Sequence, residues 1–354
     1  MNELFEGECR SILGAKHIEM RLRRILEGAR KVSAIRAILP MLIVAACGIC
    51  LAQQAIRVRT NLVNVAFTAR NAQGALVDTL TENDISLYED GVQQKIAYFK
   101  KSVDAPLTLG LVVDTSGSQE SEAKRHQHDI EVFLKSVLGP KDRVFLVFFD
   151  NRIRLISDFS QSGDELMERW QEFHGNEPKK NKKDKNAKKE PEYPDLGPIE
   201  KRVLGTAFYD SIYYSVGEKL ARETGRRALL VFSDGEDNSS SHDMMTAIEA
   251  AQSSDVLVFT IRYTEERHGK LTARNEYGIR VMERVAKETG GAEFDAKNTD
   301  PRQNFKQIGE ELRSMYEAGY YSTNADRDDT FRKVLVRTTV EGIKIRSKPG
   351  YYAR

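Results

Sequence analysis

The sequence predicts a doubly wound α/β domain that is inserted into a β-sandwich-like domain. In the central region, apolar runs such as LTLGLVVD and RALLVFS alternate with segments of helical spacing. Continuous apolar runs are typical of parallel strands that are covered on both faces. On both sides of this region, shorter segments alternate apolar and polar residues, and one of them contains the hairpin signal Asp90-Gly91.

The flanking β-rich segments are predicted at 56–102 and 319–354, on either side of the α/β domain at 106–317. RVRTNLVNVAFTAR alternates, ISLYEDGVQQKIAYF is predicted to form a hairpin, and YYSTN, FRKVLVRTTV and IKIRSK follow near the C-terminus. The C-terminal strands have no sheet of their own. We therefore predict that they complete the β-rich layer that the N-terminal strands begin. Domain termini often lie close together at the surface, which allows such an insertion.

Within the central domain, strands are predicted at 107–114, 143–149, 227–233 and 256–262, and helices at 120–138, 164–173, 207–222, 243–252, 277–288 and 302–316. Residues 176–200 begin with the lysine-rich run NEPKKNKKDKNAKK, for which we predict a disordered loop. We interpret this loop as a solvated insertion rather than a binding site.

The composition excludes several classes of function. The chain has 354 residues, of which 40% are hydrophobic, and a formal net charge of +1. This charge gives no field that would favour nucleic acid or an anionic membrane as a partner. Cys9, Cys47 and Cys50 all precede Ala52. A chain processed after Ala52 would therefore have no disulfide and no thiolate nucleophile.

Residues 1–52 are predicted to be a signal peptide with a long basic n-region ahead of AILPMLIVAACGICLA. This apolar run is shorter than the ~18–20 residues that span a bilayer, and it contains Pro40, so cleavage is favoured over a transmembrane anchor. Two processing sites stay open, a cut after Ala52 and lipidation at Cys47, where VAAC resembles a lipoprotein box. Translation starts at Met1 or at Met20. We expect an extracytoplasmic protein that is periplasmic, associated with the outer envelope or secreted.

Oxygen-bearing side chains follow the ends of predicted strands. Asp114, Ser116 and Ser118 follow LTLGLVVD, Thr206 begins a helix in GTAFYD, and Asp234 ends a strand in VFSDGEDN. In an open α/β sheet, ligands bind beyond the carboxyl ends of the strands. Hard oxygen donors with few carboxylates suit Mg²⁺, with Mn²⁺ or Ca²⁺ as alternatives. The sequence therefore predicts a metal site at this edge of the sheet.

The three segments resemble the metal ion-dependent adhesion site of von Willebrand factor type A (VWFA) domains, and the resemblance covers about residues 106–316. The flanking stretches NLVNVAFTARNAQG and KPGYYA resemble an exported bacterial VWFA-related subgroup that is abundant in Acidobacteria. The resemblance implies a Rossmann-like domain in which Ser116, Ser118 and Thr206 hold the metal directly. It also implies that Asp114 and Asp234 act largely through water, which leaves a coordination position for an Asp or Glu of a protein partner.

The expected function is a metal-dependent protein-binding module for adhesion or assembly, not an enzyme. A haloacid-dehalogenase-like phosphatase needs a second carboxylate two residues after Asp114, where this chain has Ser116. The flanks of the serines do not match the elbow of a serine hydrolase. The first alternative is a structural envelope protein whose metal stiffens the loops. A metal-dependent phosphoesterase is a second alternative, with less support than the first. We interpret Asp237 and Asn238 as ordinary polar loop residues. The following histidines are interpreted as surface residues: His126, His128, His174, His242 and His268.

Overall fold

The computed structural model describes residues 62–101, 105–175, 193–198, 205–264, 270–324 and 326–353. The signal peptide predicted at 1–52 and most of the lysine-rich span lie outside the described residues. The chain divides into two units, Met1–Thr60 and Asn61–Arg354, and every described element belongs to the second unit. None of the described helices is long and apolar enough to cross a membrane.

The N-terminal segment forms four strands: β1 at Leu62–Arg70, β2 at Ile85–Glu89, β3 at Val92–Gln94 and β4 at Ile96–Lys101. Between β2 and β3, Asp90 and Gly91 both have a positive φ, of 47° and 87°. This is the conformation that an Asp-Gly hairpin turn requires. The second arm of the predicted hairpin is broken at Lys95, because β3 pairs with β2 whereas β4 pairs with a strand of another sheet.

The central segment alternates strands and helices. The strands are β5 at Leu107–Asp114, β6 at Arg143–Phe149, β7 at Ile153–Ser160, β8 at Arg226–Ser233, β9 at Val256–Arg262 and β10 at Glu293–Asp295. The helices are α1 at Ala123–Val137, α2 at Gly163–Gly175, α3 at Phe208–Tyr214, α4 at Met244–Ser253, α5 at Ala273–Thr289 and α6 at Pro301–Arg313. The sheet order is β10-β9-β8-β5-β6-β7. All pairings are parallel except β6 with β7, so the predicted doubly wound domain is confirmed.

The sequence did not predict β7 or β10. β7 is an edge strand with mixed burial, and β10 has three residues, so neither shows the continuous apolar run of the central strands. The helix predicted at 302–316 ends at Arg313, and Tyr316 begins a strand instead. The helix predicted at 207–222 is α3 followed by a π-helical turn at Ser215–Leu220.

Part of the span predicted to be disordered at 176–200 is ordered. Residues 193–198 are described, and Leu196 is buried. The backbone N–H of Leu196 donates to the Ile153 oxygen at 2.9 Å, and the N–H of Leu155 donates to the Pro194 oxygen at 2.8 Å. After the lysine-rich run, the chain therefore returns to the sheet and pairs with β7. The prediction of disorder missed this pairing because it extended from the lysine-rich run to residue 200.

The C-terminal strands are β11 at Tyr316–Tyr321, β12 at Phe331–Thr338, β13 at Lys344–Ser347 and β14 at Gly350–Tyr352. They interleave with the N-terminal strands in two sheets, of order β13-β1-β11-β4 and β14-β12-β2-β3. Buried residues of both sheets, among them Phe67, Leu87 and Val334, form one hydrophobic core. The predicted β-sandwich built from both flanks is therefore confirmed.

Ion pairs connect the sandwich to the α/β domain at helix α6. The carboxylate of Glu311 is completely buried, and it accepts hydrogen bonds from Arg70 of β1 and Arg346 of β13. Because β1 and β13 neighbour each other, both guanidinium groups reach one carboxylate. The last helix of the inserted domain is thereby tied to the sheet that receives it.

A buried charge cluster lies inside the sandwich. The carboxylate of Glu89 accepts hydrogen bonds from the hydroxyls of Tyr320 at 2.7 Å and Tyr351 at 2.9 Å. It also accepts one from Arg332 at 3.3 Å, and the Glu89 and Arg332 side chains are each only 2% exposed. Strands from both ends of the chain thus meet at one carboxylate.

We expect Glu89→Ala to lower the free energy of unfolding by about 3–5 kcal/mol, because it leaves the Arg332 cation buried without its carboxylate. Urea denaturation measures the change. The control is Lys135→Ala, which removes an exposed ion pair with Glu131 and should leave stability nearly unchanged. Equal stability of both variants would show that the Glu89 cluster does not stabilise the sandwich.

Candidate functional site

Asp114 and Asp234 lie at the carboxyl ends of two adjacent parallel strands. β5 and β8 pair in parallel up to Val113 and Phe232, so both strands end at the same level of the sheet. The Ser233 hydroxyl donates to Asp114 Oδ2 at 2.6 Å, and the Ser116 N–H donates to Asp114 Oδ1 at 2.9 Å. Both oxygens of this carboxylate are therefore held by protein donors.

The carboxylate of Asp234 is held in the same way. Gln119 Nε2 donates to Asp234 Oδ2 at 2.8 Å, and the N–H of Glu236 donates to Oδ1 at 3.1 Å. The side chain of Gln119 also donates to the backbone oxygen of Tyr263 at 3.3 Å. Gln119 therefore connects the loop after β5 to the loop after β8.

The two carboxylates disfavour each other's charge. Asp114 is 1% exposed and Asp234 is 4% exposed. Burial and then the charge of Asp234 raise the pKa of Asp114 to about 7, although hydrogen bonds from Ser116 and Ser233 act in the opposite direction. A divalent cation between such groups favours their charged forms, because it is the largest local charge in a site of this kind.

The serine hydroxyls fit the geometry of a hard cation. Ser116 Oγ and Ser118 Oγ are 3.2 Å apart. Adjacent ligands of an octahedral ion with metal–oxygen distances of about 2.1 Å lie about 3.0 Å apart. The two hydroxyls are neutral oxygen ligands at a spacing that such an ion could bridge. The residues present therefore fit a divalent cation with oxygen ligands.

Thr206 is attached to the loop that follows β8. Its N–H donates to Asn238 Oδ1 at 2.7 Å, and its backbone oxygen accepts from the N–H groups of Asn238 at 3.1 Å and Ser239 at 3.2 Å. The preceding residue, Gly205, has a φ of +144°, and a Cβ there would lie 2.7 Å from Asn238 Oδ1. Only glycine therefore allows this close approach, which brings Thr206 to the edge where Asp234 lies.

The structure thus brings the five predicted residues to one edge of the sheet. Hydrogen bonds or charge connect Asp114, Ser116, Ser118 and Asp234, and Thr206 reaches the edge through Asn238. The doubly wound fold and these three converging loops agree with the Rossmann-like arrangement that the resemblance to von Willebrand factor A domains predicts.

Four residues of this domain have roles that the sequence did not reveal. Asn238, interpreted above as ordinary loop polarity, positions Thr206. Gln119 and Ser233 each hold one of the two carboxylates. Asp237, given the same interpretation as Asn238, accepts a hydrogen bond from the N–H of Tyr209 in α3 at 3.3 Å. These residues stand next to the predicted ligands in sequence, but their partners lie in other loops.

The interpretation of the five named histidines as surface residues is wrong for His126. This residue of α1 is 1% exposed, and its ring packs edge-on against Tyr263 with centroids 4.2 Å apart. Burial lowers the pKa of His126 to about 3, so the ring is neutral. Its spacing of four residues from Ile130 places it on the inward face of the helix. His268 lies outside the described residues.

A cleft of about 790 Å³ adjoins the candidate site. Ser118 and Asp234 line one side of it, and Thr272 and Arg274 line the other, at the start of α5. The close packing of Gly278 fixes the position of this helix, because a Cβ there would lie 2.2 Å from the backbone oxygen of Asp234.

Comparisons with known proteins give structural neighbours only. No family model matches the sequence, and no curated protein matches it. One similar solved structure is BatB from Bacteroides thetaiotaomicron, with 16% identity and a TM-score of 0.41 over 58% of this chain and 97% of that chain. Another is an aerotolerance-related membrane protein from Bacteroides fragilis NCTC 9343, with 14% identity and a TM-score of 0.41 over 58% of this chain and 98% of that chain.

A third neighbour is proximal thread matrix protein 1 from the mussel byssus, whose structure has a zinc-occupied MIDAS motif. It has 13% identity and a TM-score of 0.41, over 63% of this chain and 50% of that chain. Likenesses of this level carry no functional argument for the present chain. The assignment of the Acidobacteria-type subgroup from the flanking stretches stays a prediction.

We expect Gly278→Ala to destabilise the protein by about 1–3 kcal/mol, because the added methyl group would push α5 away from the Asp234 loop. The control is Gly217→Ala, where a Cβ would have nothing within 4 Å. That change should be neutral or stabilising by up to about 1 kcal/mol. Thermal unfolding of both variants tests the contrast, and a stabilised Gly278→Ala protein would contradict the close packing.

Proposed function

We propose that the α/β domain is a VWFA domain that binds a divalent cation of the Mg²⁺ type and uses it to capture an Asp or Glu side chain of a protein partner. Ser116, Ser118 and Thr206 would hold the cation directly, and Asp114 and Asp234 would act largely through water. The observation that carries the proposal is that both buried carboxylates already accept hydrogen bonds at both of their oxygens. A cation with few direct anionic ligands keeps enough positive charge to attract a carboxylate from outside.

The proposed role is binding without catalysis. The position two residues after Asp114 is a serine whose hydroxyl lies 3.2 Å from that of Ser118, so no second carboxylate is placed there for acid–base chemistry. The buried His126 is neutral and packs against Tyr263 behind the sheet edge. A protein whose cation only stiffens its loops is the alternative, and partner capture distinguishes the two.

The proposed module acts outside the cytoplasm. This part of the proposal rests on the basic and apolar pattern of residues 1–52, with processing after Ala52 or lipidation at Cys47. Mass spectrometry of the native protein should find an N-terminus at Gln53 or a lipid on Cys47. An intact leader on protein recovered from the cytosol would contradict the proposed location.

Substitutions of Thr206 test the metal site. We expect Mg²⁺ or Mn²⁺ to raise the melting temperature of the native chain by mass action. Thr206→Val keeps the shape of this buried side chain but removes its hydroxyl, so most of the rise should be lost. Thr206→Ser keeps the hydroxyl and should keep the rise. If the valine and serine variants respond alike, Thr206 is not a ligand.

Chelation tests partner capture. The native chain, immobilised and exposed to envelope extract, should retain an acidic partner in Mg²⁺ and release it in excess chelator. The Thr206→Val variant should retain much less, and Thr206→Ser should behave like the native chain. Capture that persists in chelator would overturn the metal-bridged mechanism. A metal-dependent rise in melting temperature without any capture would favour the loop-stiffening alternative.

A further inference from the structure

The start of helix α5 exposes an unusual set of side chains beside the candidate metal site. In the described part of the α/β domain, Leu271 and Tyr277 are the two large apolar side chains that are exposed rather than half-buried, at 38% and 53%. They flank Arg274, which lines the cleft, and its side chain is 66% exposed. An exposed Tyr and Arg next to a cleft are typical of the residues that dominate protein–protein interfaces.

This surface, Leu271–Arg274–Tyr277, is rigidly placed relative to the site. The backbone of α5 contacts the Asp234–Gly235 turn at Gly278, where there is no room for a side chain. The first turn is held by the cap of Thr272, whose hydroxyl accepts from the N–H of Asn275 at 3.2 Å. A surface that is already ordered loses little conformational entropy when a partner binds.

Two side-chain contacts connect the surface to the metal-site loops. Arg274 pairs with the carboxylate of Glu236, a buried residue whose N–H donates to Asp234. The side chain of Tyr277 lies next to that of Tyr209, three residues after Thr206. The surface therefore lies beside the edge of the sheet at which both Asp234 and Thr206 are found.

The charges of the cleft restrict which type of side chain the partner can have next to its acidic residue. Arg274 is the one cationic side chain that lines the cleft in the described part of the chain, and Glu120, Asp234 and Glu236 also line it. A second carboxylate of the partner would compete with Glu236 for the guanidinium. A neutral acceptor, such as a backbone carbonyl oxygen, can accept from Arg274 without that repulsion, because the guanidinium has five N–H donors.

We infer that the partner segment carries an acidic residue with an apolar side chain immediately beside it. The acidic residue would bind at the metal, and this part rests on the function proposed above. The apolar neighbour would pack against Leu271 and Tyr277, and a backbone carbonyl oxygen of the segment would accept a hydrogen bond from Arg274. Tyr277 and Arg274 are thus the residues that select the sequence around the acid.

Blocked pentapeptides of defined sequence test this inference on the full chain in Mg²⁺. The probes are Gly-Gly-Asp-Gly-Gly, the same peptide with Phe placed directly before or after the Asp, and Gly-Gly-Asp-Glu-Gly. We expect one of the Phe peptides to bind about tenfold more tightly than the glycine peptide. The Glu peptide should show no such gain. Calorimetric titration measures the affinities.

Matched variants locate the preference. Tyr277→Ala should abolish the gain from Phe, and Tyr277→Phe should keep it. Tyr321→Ala removes a tyrosine of the sandwich with nearly the same exposure, 51%, and should change nothing. Arg274→Lys keeps a cation for Glu236 but loses the planar fork, so it should weaken every peptide. The control for it is Arg280→Lys on the same helix, whose side chain is 64% exposed and also pairs with a glutamate.

The outcomes separate this inference from the proposed function. If the glycine peptide binds in a chelator-sensitive way but Phe gives no gain, or Tyr277→Ala keeps the gain, the inference is wrong and the metal-bridged function stands. A gain from Glu that equals the gain from Phe would also overturn it. If no peptide binds in Mg²⁺, the proposed function and the inference fail together.

Discussion

The structure around the site depends on two carboxylates, Asp114 and Asp234, that are buried beside each other where β5 and β8 end. Two like charges in a buried position are unfavourable unless hydrogen bonds or a cation stabilise them. Ser233, Ser116 and Gln119 supply hydrogen bonds, and these same bonds hold the loops after both strands together. The loops are therefore ordered by the groups that the carboxylates need.

The sheet edge is bordered by a cleft because α5 packs close to it. Gly235 and Gly278 have no Cβ at the contact, so the helix backbone reaches the turn after Asp234. This approach forms the cleft between the candidate metal site and Arg274. In the proposed function, the position of the helix, in addition to the candidate metal site, would provide the contacts that make partner binding specific.

Insertion of the α/β domain into the sandwich has a clear physical basis. β4 and β11, which directly precede and follow the inserted domain, are neighbours in one sheet with Lys101 opposite Tyr316, so the two ends of the insert lie close together. Glu311 of α6 then holds Arg70 and Arg346 from two adjacent strands of that sheet. Both sheets of the sandwich therefore combine strands from both ends of the chain, while the inserted domain has hydrophobic clusters of its own.

Local sequence patterns determined the central strands, most of the helices, the Asp90-Gly91 turn and the clustering of Asp114 with Ser116, because each depends on residues close together in the chain. The edge strand β7 and the ordered return at 193–198 were decided by packing that composition and periodicity do not encode, whereas the inward position of His126 follows from its helical spacing to Ile130. The pairs that complete the site are also tertiary: Gln119 with Asp234 spans 115 residues, and Asn238 with Thr206 spans 32. Such pairs exist only because the strand order brings separate loops to one edge of the sheet.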